Sequence, residues 1–523
     1  MSIPVAQADK TSFGEREDTA RSVGDAIYRI AERTAAAHAL LAPGFTPCSF
    51  GDLREQIAGV GAALHAWGFD HRARIGLSLP SAPMAALAML AVGSWAQAVP
   101  IDPNAPTAEV ETQLAFIQAS AVLVPKGVSS PAQRAAIAIG IPVIEANIEE
   151  GRFALHLAMS TPGTKIVPVE PGPDSVLYVL QTSGTTADPK HVLWTHRNQF
   201  AVTKRLQRAL KLGTEDRALG ILPVHHSFGV NTLWTAILTG GSVAFPTDPL
   251  RFDLAEWLGE LRPTWYRAVP AQHLYILENL RLVPPSEIPR CLRIVSTGAA
   301  AFPDETRKGL QDILGFPVVE TYGCTEAGFV CGNLPMPGRS KAGTVGKPEE
   351  GVVMVVGEDG RRLPAGEEGE ILLGGATVSP GYVNVPELNR KTFMDGWYRT
   401  GDIGYLDEDG FLTLRGRLKD VISRGAEKIY PLEVEETLRD HPQVLDVAVF
   451  GVPHERLGED IAAAVVMRPG TAVKPAELRK FLGMRLAWSK IPRQFVFVTE
   501  LPKGANGKVL RRSLQAAIGQ QTV

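Results

Sequence analysis

The chain has 523 residues, 45% of them hydrophobic and 21% charged, with a formal net charge of −3. This is the composition of a folded globular protein too long for one ordinary core, and it excludes a disordered chain and a general nucleic-acid-binding surface. The four cysteines, Cys48, Cys291, Cys324 and Cys331, lack paired metal-ligand spacing, which argues for buried or incidental thiols in a reducing, cytoplasmic setting.

Residues 1–20 are polar and acidic, unlike the basic-then-apolar pattern of a signal peptide. From Val23 to about Leu41, Ile27, Ile30 and Ala31 recur at helical spacing and predict an amphipathic helix. Cys48 to Phe69 reads as a short strand, a helix beginning near Gly51 and a stop at Gly68. The apolar stretch Ala82 to Ala96 is about 15 residues and contains Pro83, Gly93 and Ser94, so it falls short of the ~20 needed to span a bilayer and is expected to be a core helix. Strand and helix then alternate through Ala121–Val124 and Pro142–Glu145, which implies α/β layers with partly parallel sheets. Residues 150–175, rich in Pro and Gly, read as a connection.

Val176 to Leu180 has the character of a buried strand and runs into a loop of small and hydroxylated residues in YVLQTSGTTADPK, Tyr178 to Lys190. Backbone N–H groups around Gly184, the hydroxyls of Thr182, Ser183, Thr185 and Thr186, and the charge of Lys190 suit a phosphate chain. The order does not match the G-x-x-x-x-G-K-S/T loop, and the same composition also suits a surface turn. Further on, Arg197–Leu212 is helical in pattern, and Ala218–Pro223 is a strand entering VHHSFGVNTLW. Leu292–Ser296 is a strand before TGAAAFP, Asp304–Leu314 is a helix, and PVVETYGCTEAG reads as strand and loop. From about Gly343 to Tyr405 short runs broken by Gly, Asp and Pro indicate a small β-rich unit. The cationic, glycine-containing stretch Arg415–Tyr430 marks a boundary, followed by a helix at Pro431–His441 and a strand at Asp446–Val452.

The loop at 178–190 resembles the phosphate-loop signature of the adenylate-forming superfamily, the acyl-CoA synthetases, peptide-synthetase adenylation domains and luciferases, whose pattern is close to TSGTTGxPKG. Ala187 and His191 stand where that pattern has glycine. TYGCTE at 321–326, YRTGD at 398–402, GRLKD at 416–420 and PKGANGK at 502–508 extend the resemblance, in family order, from about Cys48 to Arg512.

The resemblance implies a large N-terminal domain of layered α/β subdomains with a small β-rich unit, residues 1–418, and a small mobile α+β domain, residues 419–523, hinged at Lys419. It also implies ATP and Mg²⁺ as cofactors and coenzyme A as co-substrate. By resemblance, Tyr322 lies against adenine, Thr325 meets the α-phosphate and Glu326 helps hold the metal together with Thr185. Thr182, Ser183, Gly184, Thr186 and Lys190 belong to the phosphate loop, and Gly298, Ala299, Ala300, Thr321 and Gly323 to the nucleotide site. Asp402 is the ribose ligand, Arg417 grips phosphate or ribose, and Lys508 bridges substrate carboxylate and phosphate during adenylation. Taken one at a time, each has an ordinary reading: a solvated Glu326, a turn aspartate at 402, a basic turn at 417–419, a basic tail at 508.

The chemistry implied is attack of a carboxylate on the ATP α-phosphorus, giving an acyl-adenylate open to a thiol. After it the Lys508 loop withdraws and Ser423–Lys428 turns to the pantetheine channel. Amino-acid-activating members carry Asp after a Phe where this chain has Phe228 and Gly229, so the substrate is expected to be a small-molecule acid without an α-ammonium group. His226 matches the position beside the acyl pocket and thiol channel, and His225 is a candidate partner for a second carboxylate. Pocket segments are His226–Asn231, Val269–His273, Thr297–Ala301, and Gly323 with Cys324, with Gly229, Gly298, Ala299 and Ala300 leaving room. Three functions stay open: an acyl-CoA synthetase, an acyl-AMP ligase loading a separate carrier protein, and a non-catalytic nucleotide or acyl-CoA sensor.

Overall fold

The computed structural model describes residues 20–160, 163–182, 189–300, 302–425, 427–503, 509–511 and 513–515. It divides into two compact units, one of residues up to 182, 189–335 and 374–398, the other of 336–373 and 399 onward. The chain passes between them within the strand Trp397–Leu406.

The first unit is built on two large sheets. One has seven strands, in the order Leu155–Met159, Val143–Ile148, Ala121–Pro125, Arg74–Leu77, Gln97–Pro100, Val176–Thr182 and Lys190–Thr195. Its inner strands are parallel and both edges antiparallel. Ala121–Pro125 is buried along its whole length, as a continuous apolar run covered on both faces should be. Helix Ala82–Gly93 is apolar all round and almost wholly buried. Among the described residues no helix is long and apolar enough to cross a membrane.

The other sheet has eight strands: Gly328–Gly332, Val318–Cys324, Ile294–Thr297, Trp265–Ala268, Arg217–Leu219, Ser242–Ala244, His38–Leu41 and Cys48–Ser49. The predicted helix from Val23 stops at Thr34, and His38–Leu41 instead pairs in parallel with Ser242–Ala244. A distant strand edge outweighs the local helical pattern there. The stretch 150–175 holds a further strand, Leu155–Met159, antiparallel to Val143–Ile148. Capping sets other boundaries. Ser49 closes a capping box with Asp52 at the start of Phe50–Ala66, and Gly68 beyond its end takes the left-handed conformation, φ 88°.

In the second unit, Val353–Val356, Gly369–Gly374, Trp397–Leu406 and Leu412–Arg417 form a small antiparallel sheet, the β-rich unit expected from sequence. A second sheet joins Glu427–Ile429, Ile422–Arg424, Gly458–Met467, Val444–His454 and Gln494–Val498. Helices Pro431–Arg439 and Pro475–Gly483 cover its core of Val434, Leu438, Val447, Ile461 and Leu478.

Candidate active site

In the first unit the hairpin Val176–Thr182 and Lys190–Thr195 carries the phosphate-loop motif. The ladder runs as far as Thr182 opposite Lys190. Ser183, Gly184, Thr185, Thr186 and Ala187 lie outside the described residues. The Lys190 ammonium sits 5.1 Å from the centre of the Tyr382 ring. His191 points into the interior, 4% exposed, with its ring 5.2 Å from that of Phe116 and both nitrogens without a hydrogen-bond partner among the described residues. Burial pushes its pKa down to about 4.

The TYGCTE segment ends the strand Val318–Cys324 and turns back into Gly328–Gly332. Gly323 is needed by this hairpin, because a Cβ there would lie 2.2 Å from the Gly328 carbonyl. Tyr322 is buried, and the Thr321 hydroxyl donates to the Thr297 carbonyl at 2.7 Å. A Cβ on Gly298 would meet the Thr321 hydroxyl at 2.8 Å, so this glycine lets the two strand ends close. Beside it, Ala299 holds a left-handed backbone, φ 72°, which is unusual for a residue with a side chain. Ala300 next to it is exposed. The Thr325 hydroxyl donates to Ser227 Oγ at 3.3 Å, and its carbonyl accepts from Trp194 Nε1 at 2.8 Å. Three sequence motifs, 190–195, 225–231 and 321–326, thus meet in one place.

Glu326 is 8% exposed and accepts a 2.8 Å hydrogen bond at Oε1 from the Tyr382 hydroxyl. Tyr382 in turn hydrogen-bonds Tyr398. Burial, then the Glu326 charge, pushes the ionisation of both phenols up, so both stay neutral. No cation pairs with Glu326 among the described residues. A single hard carboxylate with one oxygen held and the other open fits Mg²⁺, which takes one or two carboxylates and completes its shell with water and substrate phosphates.

His225 and His226 precede the helix Ser227–Leu238, with ring centres 4.4 Å apart. Burial lowers both pKa values, that of His225 to about 4. Without ligand, burial therefore favours the neutral, hydrogen-bonding form of His225. Gly229 leaves no room, since a Cβ there would be 2.2 Å from the Pro223 carbonyl. Its smallness serves the helix start. His273, in a predicted pocket segment, is wholly buried and engaged by the Tyr266 hydroxyl and the Ser296 carbonyl.

The second unit carries the remaining described candidates. Asp402 and Arg417 face each other across the antiparallel strands, with Nε to Oδ1 at 2.9 Å. Asp402 lies within a strand, not a turn, although Gly401 before it does take the left-handed conformation, φ 69°. Its backbone N–H donates to Thr400 Oγ1 at 2.9 Å. Lys419 is exposed on the short 3₁₀ turn Leu418–Asp420. Lys508 lies outside the described residues.

Two residues in contact with these segments carry no signal in the sequence. Tyr382 is 56 positions from Glu326, and nothing in SPGYVN marks the contact. Arg267, in the strand Trp265–Ala268, has its guanidinium carbon 3.8 Å from the centre of the Phe228 ring.

The sequence profile of the AMP-binding enzyme family matches residues 27–383, and that of the AMP-binding enzyme C-terminal domain matches 433–508. The oxalate–CoA ligase of Arabidopsis thaliana is 34% identical over 84% of this chain and 87% of its own length. The sulfoacetate–CoA ligase of Cupriavidus necator is 39% identical over 66% of this chain and 67% of its own. Among solved structures, o-succinylbenzoate coenzyme A synthetase from Bacillus subtilis with ATP and magnesium ion superimposes with a TM-score of 0.80 at 26% identity, covering 94% of this chain and 98% of that one. ATP-bound MatB from Rhodopseudomonas palustris gives 0.84 at 24% identity, covering 95% and 99%. The chain belongs to the AMP-binding enzyme family, as an acid–thiol ligase of the acyl-CoA synthetase kind.

Proposed function

We propose that the protein converts a small organic acid, ATP and free coenzyme A into the acyl-CoA, AMP and pyrophosphate by way of an acyl-adenylate. The observation that carries this reading is the meeting of Thr325, Ser227 and the Tyr382-held Glu326, which sets phosphate-type ligands beside the acyl-pocket segment. In this reading Lys190 with Thr182, Ser183, Gly184, Thr185 and Thr186 holds the phosphates, and Tyr322, Gly323, Thr321 and Gly298–Ala300 hold adenine. Asp402, oriented by Arg417, takes the ribose hydroxyls. Mg²⁺, held by Glu326 with Thr185, supplies charge neutralisation on the phosphates.

Lys508 places a fixed cation where negative charge gathers as the carboxylate attacks phosphorus. His226, neutral through burial, lines the path of the thiol. We place the mobile domain at 419–523 with Lys419 as its hinge, a reading supported by the exposed turn Leu418–Asp420 between two strands. Relatives named for oxalate and sulfoacetate support a small organic acid, and their names support coenzyme A over a carrier protein as acceptor. A cytoplasmic site of action is supported by four cysteines outside any disulfide.

The test is acid-dependent ATP–pyrophosphate exchange over aliphatic, aryl, dicarboxylic and amino acids, with AMP release followed as coenzyme A is added. Exchange with a non-amino acid and AMP release stimulated by coenzyme A is the expected result. Exchange without stimulation would transfer the reading to a carrier-protein ligase, and ATP binding without exchange to a sensor.

A further inference from the structure

Arg267 is the anomaly of the first unit. It is 3% exposed on a central strand of the eight-stranded sheet, and its Nε has no hydrogen-bond partner among the described residues. No carboxylate pairs with its guanidinium among the described residues. Arg205, also buried at 7%, shows how this protein ordinarily accommodates such a group: it donates to the Phe329 carbonyl and to Thr377 Oγ1. A buried charge without a partner is expensive, so an uncompensated one implies a partner that arrives later.

The surroundings point to the acid. Arg267 is in register with Ser296 on the neighbouring parallel strand, so the two side chains share one face of the sheet. The Ser296 hydroxyl is fully buried and also without a hydrogen-bond partner among the described residues. Helix Ser227–Leu238 lays Phe228 under the guanidinium. Phe228 also lies 3.4 Å from where a Gly298 Cβ would stand. A cation and a hydroxyl donor left open beside the acyl-pocket segment 226–231 form an anion receptor.

We propose that Arg267, with Ser296 beside it, binds a second anionic group, a carboxylate or sulfonate, on the far end of the acid substrate, and so restricts the enzyme to acids that carry one. The inference rests on the ligase reading above and names its substrate class. Burial lowers the Arg267 pKa to about 9, which leaves it cationic at neutral pH, in contrast with His225. The ring beneath it contributes a cation–π contact without neutralising it.

The experiment compares malonate, succinate and sulfoacetate with propionate and butyrate, reading kcat/KM for coenzyme A-dependent AMP release. Wild type is expected to favour the dianions by at least ~tenfold. Arg267→Met should abolish that preference and leave the KM for ATP within about twofold, while Arg267→Lys keeps part of the preference. The ligand-free Arg267→Met protein should melt above wild type, because the unpaired buried charge is gone. Equal or better use of the monoanions by wild type, or a preference that survives in Arg267→Met, overturns the proposal. So does a fall in ATP affinity with the acid preference intact. If no acid supports AMP release, the ligase reading fails separately, and calorimetric binding of succinate and sulfoacetate still decides: binding lost in Arg267→Met supports the receptor, and binding equal in both proteins overturns it. Should Arg267→Met not fold, the wild-type panel and Arg267→Lys decide between the same two outcomes.

Discussion

The hydroxyl of Tyr382 donates to Oε1 of Glu326 at 2.8 Å, and the Tyr382 ring carries the Lys190 ammonium 5.1 Å from its centre. One phenol therefore fixes the orientation of the candidate metal carboxylate and also touches the candidate phosphate lysine. Tyr382→Phe keeps the ring and removes the donor. It should lower pyrophosphate exchange by roughly 10- to 100-fold, as loss of the groups that orient a metal ligand commonly does. The half-saturating Mg²⁺ concentration should rise with it. An unchanged Mg²⁺ profile would show that Tyr382 only packs.

Burial lowers the pKa of His191 to about 4, of His196 to about 3 and of His273 to about 4. Each is lowered from the ordinary 6.5, so between about 4 and 6.5 the unfolded chain binds more protons than the folded one. The stability they contribute is complete above 6.5 and is lost as pH falls through that window. Urea unfolding midpoints should drop steadily from pH 7 to pH 5. His191→Leu removes two unpartnered buried nitrogens and one titrating group, and should raise the midpoint at pH 5 more than at pH 7.

Gly229→Ala separates two accounts of one glycine. If Gly229 widened the acyl pocket, the variant would shift acid preference toward smaller acids. The 2.2 Å approach to the Pro223 carbonyl predicts instead a general loss of stability of about 2 kcal/mol or more, with acid preference unchanged in whatever protein folds. Thermal melting and the acid panel, run together, settle it.

Lys508→Ala tests the division between the two half-reactions. Adenylate formation should fall by at least ~100-fold, the scale for removing one preorganised group that stabilises developing charge. Thioester formation from supplied acyl-adenylate should persist. The reverse outcome would take the lysine out of the adenylation step.

The sheets are legible in the sequence where strands are continuous apolar runs, as at Ala121–Pro125, and helix boundaries where capping residues mark them, as at Ser49. His38–Leu41 hides in a helical pattern because its partner, Ser242–Ala244, is about 200 positions away. The site motifs stand out because glycines, hydroxyls and charges cluster within a few residues. Tyr382 and Arg267 do not, for the same reason: each acts on a residue remote in sequence, and a lone arginine in WYRAV reads like any strand cation facing water. The burial of both its neighbours and an Nε without a hydrogen-bond partner among the described residues distinguish it.

Thr182 opposite Lys190 is the last rung of a ladder that extends back to Val176 opposite Thr195. Residues 183–189 are thus bracketed by a register set elsewhere, in the core-facing side chains of Leu180, Val192 and Trp194. A change between Thr182 and Lys190 leaves the register of the ladder, and so the facing of those core residues, to the rungs that remain. Ala187 lies outside the described residues, between these two in sequence, whereas His191 lies in the ladder, where a change is answered by Phe116 and the core. Of the two departures from the family pattern, His191 is therefore one that the fold itself must accommodate.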